Sequence, residues 1–189
     1  MGEVAATKTP CTPQQLVEAL AAIWPSELGG TGLTLATACV LASQWAIETS
    51  EGTSCICWNL GNFKWDGSST FTQFSTVEYE NGVPTEIHPP APGCQFMAYA
   101  SLEDGVRAWL RSLYTHWTLA WPSALAGDPE GFAQGLHDQK PPYYTAPPAQ
   151  YAAGMRRYFD PFMKTIMLPP TTTPPDPLAD TNPGMPETD

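Results

Sequence analysis

From Leu35 to Thr49 the chain reads LATACVLASQWAIET, with Glu48 as its one charged residue. Leu35, Ala38, Cys39, Ala42, Trp45 and Ala46 recur at helical spacing, and Thr34 stands where an N-cap belongs. A helix this apolar must be covered by other elements. The 189 residues, 42% hydrophobic and 11% aromatic, can build one core of ordinary domain size plus an appendage. The open question is why a carboxylate sits at the end of such a helix.

The covering elements are also mostly helical. Thr12-Pro13-Gln14-Gln15 combines an N-cap, a first-turn proline and a capping-box glutamine. Leu16, Ala19, Leu20 and Ile23 continue that helix, which Pro25 is expected to stop. Ser101 caps a third helix with Val106, Trp109, Leu110, Leu113 and Trp117 as its apolar stripe. Short helices are expected over 122–126 and 129–136, a loop over 141–148, and a last helix over 149–164. Between the second and third helices the pattern changes. Thr70–Phe74 and Thr76–Tyr79 favour strands and Glu80-Asn81-Gly82 a turn, which predicts a small antiparallel hairpin. The fold class is therefore α+β, mostly α. Residues 1–11 read as a flexible leader and 12–167 as the domain. The segment 168–189 reads as a disordered acidic tail or linker, because after Leu168 seven prolines and four acids occur without an aromatic or basic residue.

Charge narrows the function. With eight Lys and Arg and a net charge of -11, the chain has no basic stripe for neutralising phosphates, so nucleic acid is not an expected partner. The acidic surface also argues against anionic membranes, and no run of about 18 apolar residues exists to span one. The first 15 residues lack the apolar core of a signal peptide. Five cysteines leave three readings open: a disulfide from Cys94 to Cys55 or Cys57, a zinc site from Cys55, Cys57, Cys94 and His88, or buried free thiols.

Glu48 is the first candidate for chemistry. On its helix it shares a face with Leu41, Gln44 and Trp45, and it lies at the negative end of the helix dipole. Both surroundings raise a carboxyl pKa, the preparation a general acid needs near neutral pH. The alternative, a solvated helix-end glutamate, suits Glu51 better.

Ten residues beyond Glu48 comes Trp58-Asn59-Leu60-Gly61-Asn62-Phe63-Lys64. This strip and Ser43-Gln44-Trp45-Ala46-Ile47-Glu48-Thr49-Ser50 together resemble the glucosaminidase family of peptidoglycan hydrolases, glycoside hydrolase family 73 of the lysozyme superfamily. Thr76-Val77-Glu78-Tyr79 resembles that family's Thr-x-Glu-Tyr hairpin. Residues 94–105 resemble its segment entering the next helix, and Tyr143-Tyr144-Thr145-Ala146-Pro147 with Tyr151-Ala152 its tyrosine signature. The likeness runs from about Gln14 to Lys164. Ser50 departs from it, standing where the family has glycine, and Gly52 is the candidate to serve that turn.

The resemblance implies a lysozyme-like domain that cleaves β-1,4 glycosidic bonds of the bacterial cell wall, as N-acetylglucosaminidase or muramidase. It implies Glu48 as acid, Glu78 as second carboxylate with Asp66 in reserve, and Tyr143 as active-site tyrosine with Tyr144 as the alternative. It points to Gln44, Asn59, Asn62 and Lys64 as substrate contacts, with Trp58 and Trp65 as either sugar platforms or core. No cofactor or metal is called for. Glycan strands are the expected partner, and the cell wall, extracellular or periplasmic, is the expected site of action. Delivery is expected through a phage particle, a secretion apparatus or lysis, with the tail as a tether to a larger assembly. The alternatives are a lytic transglycosylase, or a non-catalytic glycan-binding or structural module of such an assembly.

Overall fold

A computed structural model describes residues 2–29, 32–80, 83–144 and 146–170, and of 78–80 and 83 the backbone alone. The expected tail beyond 170 lies outside the described residues.

Six helices carry the architecture: α1 (Pro13–Leu28), α2 (Leu35–Thr49), α3 (Leu102–Thr115), α4 (Trp121–Ala126), α5 (Pro129–Asp138) and α6 (Pro148–Thr165). α2 is the hub and packs against α1, α4, α5 and α6. Every residue from Thr37 to Ala46 is buried, so the helix is covered on all sides, as its composition requires. Leu41, Trp45, Trp109, Phe132 and Met155 meet around it in one core.

The helix starts obey local chemistry. Thr12 Oγ1 accepts from Gln15 N–H while Gln15 Oε1 accepts from Thr12 N–H, a reciprocal capping box. Thr34, Ser101 and Asp128 cap α2, α3 and α5 with one bond each, their side chains accepting from the Thr37, Asp104 and Gly131 N–H groups. The expected stop at Pro25 does not occur; α1 continues to Leu28, and the Gly29 N–H bonds to the Pro25 carbonyl. Tertiary contacts outweigh the local breaker. Ile23 and Trp24 are buried in the core, and the Glu27 carboxylate accepts from Arg107 Nη1 at 2.7 Å, Arg111 Nε at 2.6 Å and the Tyr114 hydroxyl at 3.2 Å.

The β structure is richer than one hairpin. β1 (Glu3–Val4) pairs parallel with β2 (Phe71–Gln73), which pairs antiparallel with β5 (Gln95–Met97). The hairpin is formed by β3 (Thr76–Glu80) and β4 (Val83–Ile87), with Glu78 opposite Thr85. The strand at Val83–Ile87 escapes a sequence reading because Pro84 lies inside it. The segment expected to be a loose leader is instead bonded into the domain. Phe71 N–H donates to the Gly2 carbonyl, Cys57 N–H to the Thr7 carbonyl, Thr9 N–H to the Cys55 carbonyl, and Trp58 N–H to Thr9 Oγ1 at 2.8 Å.

All five cysteines are buried free thiols, and no disulfide forms. Burial, with Cys55 close by, pushes the Cys11 thiol up to about 12. Among the described residues no group of three or more His, Cys, Asp or Glu could hold a metal ion, and no helix is long and apolar enough to cross a membrane.

Candidate active site

The end of α2 shapes the site. Ser50 takes the left-handed C-cap conformation (φ 49°, ψ 57°) where a glycine was expected, and Glu51 follows at φ 58°. Gly52 completes the turn at φ 82°. A Cβ there would lie 2.3 Å from the Cys11 carbonyl oxygen and 2.6 Å from the Trp45 ring, so no other residue fits. Thr49 Oγ1 accepts from the Gly52 N–H and ties this reversal to the helix. The turn leaves Glu48 half-buried at the wall of a cleft of about 850 Å³.

Three other segments line that cleft: Gly61 and Phe63 of the strip, Ser112 to Trp117 at the end of α3, and the 139–143 loop after α5. The Trp117 ring meets Tyr143 edge-on, centroids 4.9 Å apart. The Tyr143 N–H donates to the Leu136 carbonyl, which holds this tyrosine against α5.

The electrostatics suit an acid. Burial pushes the Glu48 carboxyl above its usual range, and the hydrogen bond from the Tyr151 hydroxyl to Glu48 Oε1, 2.8 Å, works in the opposite direction. Burial and the nearby Glu48 charge raise both Tyr143 and Tyr151, so both phenols keep their protons. Tyr144 stacks on Tyr151 with centroids 4.0 Å apart and planes at 6°, and its hydroxyl donates to the Ala133 carbonyl. A chain of contacts thus runs from α5 through Tyr144 and Tyr151 to the carboxyl. Glu51 stays exposed and accepts from the Tyr158 hydroxyl at 3.0 Å.

The structure therefore brings Glu48 and Tyr143 into one cleft and puts Gln44 behind them. Gln44 is fully buried, and neither of its amide atoms has a hydrogen-bond partner among the described residues. Its side chain faces the Tyr143 hydroxyl without reaching bonding geometry.

Most of the strip lies outside the residues that line the cleft. Asn59 is buried; its Nδ2 donates to the Phe63 and Met97 carbonyls and its Oδ1 accepts from Phe63 N–H, so it braces the strip against β5. Trp65 stacks on Phe71 at 4.3 Å and donates to the Ser69 carbonyl. Trp58 lines a separate cavity of about 410 Å³ with the N-terminal segment. A Cβ on Gly105 would sit 2.0 Å from the Trp58 carbonyl oxygen, so the start of α3 presses on this strip. Lys64 donates to the Gly93 carbonyl at 2.6 Å and lies 4.0 Å from the Phe96 ring centroid. Asn62 is exposed at φ 49° and is not among the cleft-lining residues. Asp66 is exposed and accepts from Ser68. The Glu78 side chain lies outside the described residues.

Sequence reasoning missed Tyr151 as a partner of Glu48, and it missed the wall from Ser112 to Trp117 and the 139–141 segment. Tyr151 stood in a matching motif, but its contact with a residue 103 positions away has no local signal. Lys140 carried one, as a cation in a charge-poor stretch.

No protein-family model and no curated protein matches the sequence. Solved structures do. A peptidoglycan hydrolase mutant from Sphingomonas sp. A1 is 26% identical at TM-score 0.53, covering 78% of this chain and 92% of that one. The catalytic domain of the autolysin Auto from Listeria monocytogenes is 17% identical at TM-score 0.55, covering 82% and 87%. A C-terminally truncated glycoside hydrolase domain of FlgJ from Salmonella typhimurium is 17% identical at TM-score 0.51, covering 80% and 98%.

Proposed function

We propose that this chain, which has the fold of the glucosaminidase-like peptidoglycan hydrolases, cleaves the β-1,4 glycosidic bonds of peptidoglycan with Glu48 as general acid. The observation that carries the proposal is one half-buried carboxyl, raised by burial and held by Tyr151, on the wall of a cleft large enough for amino sugars. Glu48 would pass its proton to the glycosidic oxygen as the bond to the anomeric carbon breaks. Water would then add to that carbon, with Glu78 on β3 accepting a water proton. Tyr143, beside Glu48 in the cleft, would face the cationic sugar ring with its oxygen, with Gln44 packed behind it. Asn59 supports the strip, whose cleft-facing parts are Gly61 and Phe63.

The test is a wall-degradation assay with product masses. Glu48→Gln should lower hydrolysis at least about a hundredfold, since general acid catalysis typically contributes about 10²–10⁴-fold, while wall binding persists. Glu51→Gln should retain most activity. If Glu48→Gln cleaves at the wild-type rate, the chain is a binding module. A second reading has one observation in its favour: Glu48 is the single carboxylate lining the cleft among the described residues. A lytic transglycosylase needs only an acid, so anhydro products together with an active Glu78→Gln variant would favour it over hydrolysis.

This activity places the chain at the bacterial wall. Delivery by a phage particle, a secretion apparatus or lysis, with the 168–189 segment as tether, fits the proline-rich, acidic composition of that segment.

A further inference from the structure

One cation lining the cleft has no part in the chemistry above. Lys140 sits between two anchors. The Gln139 side chain accepts from the Leu119 N–H at 3.4 Å, and the Tyr143 N–H donates to the Leu136 carbonyl at 3.0 Å. Pro141 and Pro142 stiffen the span between them. The Lys140 ammonium makes no hydrogen bond or ion pair with any described residue, Glu48 included. The nearby Asp138 carboxylate instead accepts from Gln134 and contacts His137.

Four of the other seven Lys and Arg are committed elsewhere. Arg107 and Arg111 hold Glu27, Arg156 holds Glu130 and Asp160, and Lys64 holds the Gly93 carbonyl. In a chain of net charge -11, an exposed, uncommitted ammonium at the rim of this cleft is a place where negative charge is accepted rather than repelled. The sugar rings of the proposed substrate are neutral, and where a peptide is attached the lactyl carboxyl is tied up as an amide; its anionic groups are then the free carboxylates of that peptide.

We propose that Lys140 is a specificity residue that binds a substrate carboxylate next to the scissile bond, so that the cleft selects acidic, peptide-bearing glycan over neutral amino-sugar polymer. His116, on the same cleft wall with its Nδ1 2.9 Å from Thr115 Oγ1, is the neighbouring polar group. The inference rests on the reading of the cleft as a glycan site, but its readout is binding, which does not require cleavage.

The experiment measures equilibrium binding of the full chain carrying Glu48→Gln to three wall preparations: native, stripped of peptides by an amidase, and native with its carboxylates chemically amidated. An ion pair exposed at a cleft rim is worth about a two- to fivefold change in affinity. Amidation should weaken binding by that factor. Adding Lys140→Met should bring binding to native wall down to the amidated level, with amidation then costing nothing more, and Lys140→Arg should restore the difference. Because the amidase frees a lactyl carboxylate wherever it removes a peptide, loss of affinity for the stripped wall supports a peptide carboxylate as the group bound, and unchanged Lys140-dependent affinity there overturns selection for peptide-bearing glycan. Equal sensitivity to amidation with and without Lys140 overturns the proposal even where wild-type protein cleaves the wall. Failure of wild-type protein to cleave, with the Lys140-dependent preference intact, overturns the hydrolase reading instead.

Discussion

Glu48 is held by two opposed effects, burial that favours its proton and a Tyr151 hydrogen bond that favours its charge. As the proposed general acid, Glu48 would work while protonated, so activity should fall as pH rises through its pKa. Tyr151→Phe removes the bond that favours the carboxylate and should move the alkaline limb of the kcat/KM profile to higher pH. A limb that stays in place, or moves down, would show that Tyr151 does not act on this proton. The same shift affects stability. Because the folded-state pKa is raised, ionisation of Glu48 destabilises the fold above about pH 4.3, the ordinary glutamate value. Glu48→Gln should therefore melt higher than wild type at pH 7, and the difference should vanish on acidification below that value. The apolar setting of Glu48 was legible from its own helix neighbours, whereas its hydrogen bond from Tyr151 was not. Gln44 was legible as a neighbour but not as a buried one, and the structural use of Asn59 depends on the β5 carbonyl it meets.

The helices were legible where side chains satisfy their own backbone, as at Thr12, Thr34 and Ser101. Pro25 misled because the last turn of α1 is held from outside by α3. The Glu27 carboxylate is covered, its side chain 2% exposed, whereas Arg107 and Arg111 are 35% and 58% exposed. Hydrogen bonds from Arg111 and Arg107 pull Glu27 down to about 2. A depressed carboxyl adds stability above its unfolded pKa and loses it as pH falls toward the folded one. Thermal melts should therefore show wild type above Glu27→Gln at pH 7, with the gap closing between about pH 4.3 and 2. A gap that persists at pH 2 would mean that packing, not charge, clamps α1 to α3. The strands resisted reading because short segments pair by long-range contact. β2 turned out to bridge the chain's first residues and β5 rather than to form the hairpin with β3.

Residues 2–9 show how far the domain extends beyond its helices. Their bonds to 55–58 and to Phe71 brace the strip whose far end lines the cleft. Deleting 2–9 should lower the melting temperature by several degrees, since each lost hydrogen bond contributes about 0.5–1.5 kcal/mol, and should reduce activity with it. Deleting 171–189 should shift the melting temperature by less than about 2 °C, because that segment has no aromatic residue to anchor it. The cut belongs after Pro170, since Gln14 bonds the Met167 backbone and Leu168 packs on the core. Calorimetry of the two truncations checks both. Helix positions, the apolar hub and the acid at its end were written in local pattern, because capping, periodicity and dipole act within a few residues. The partner of that acid, the walls of its cleft, the anchoring of the first residues and the free state of the cysteines were settled only when distant segments met. Those features depend on which atoms arrive within hydrogen-bond reach, and no local rule carries that distance.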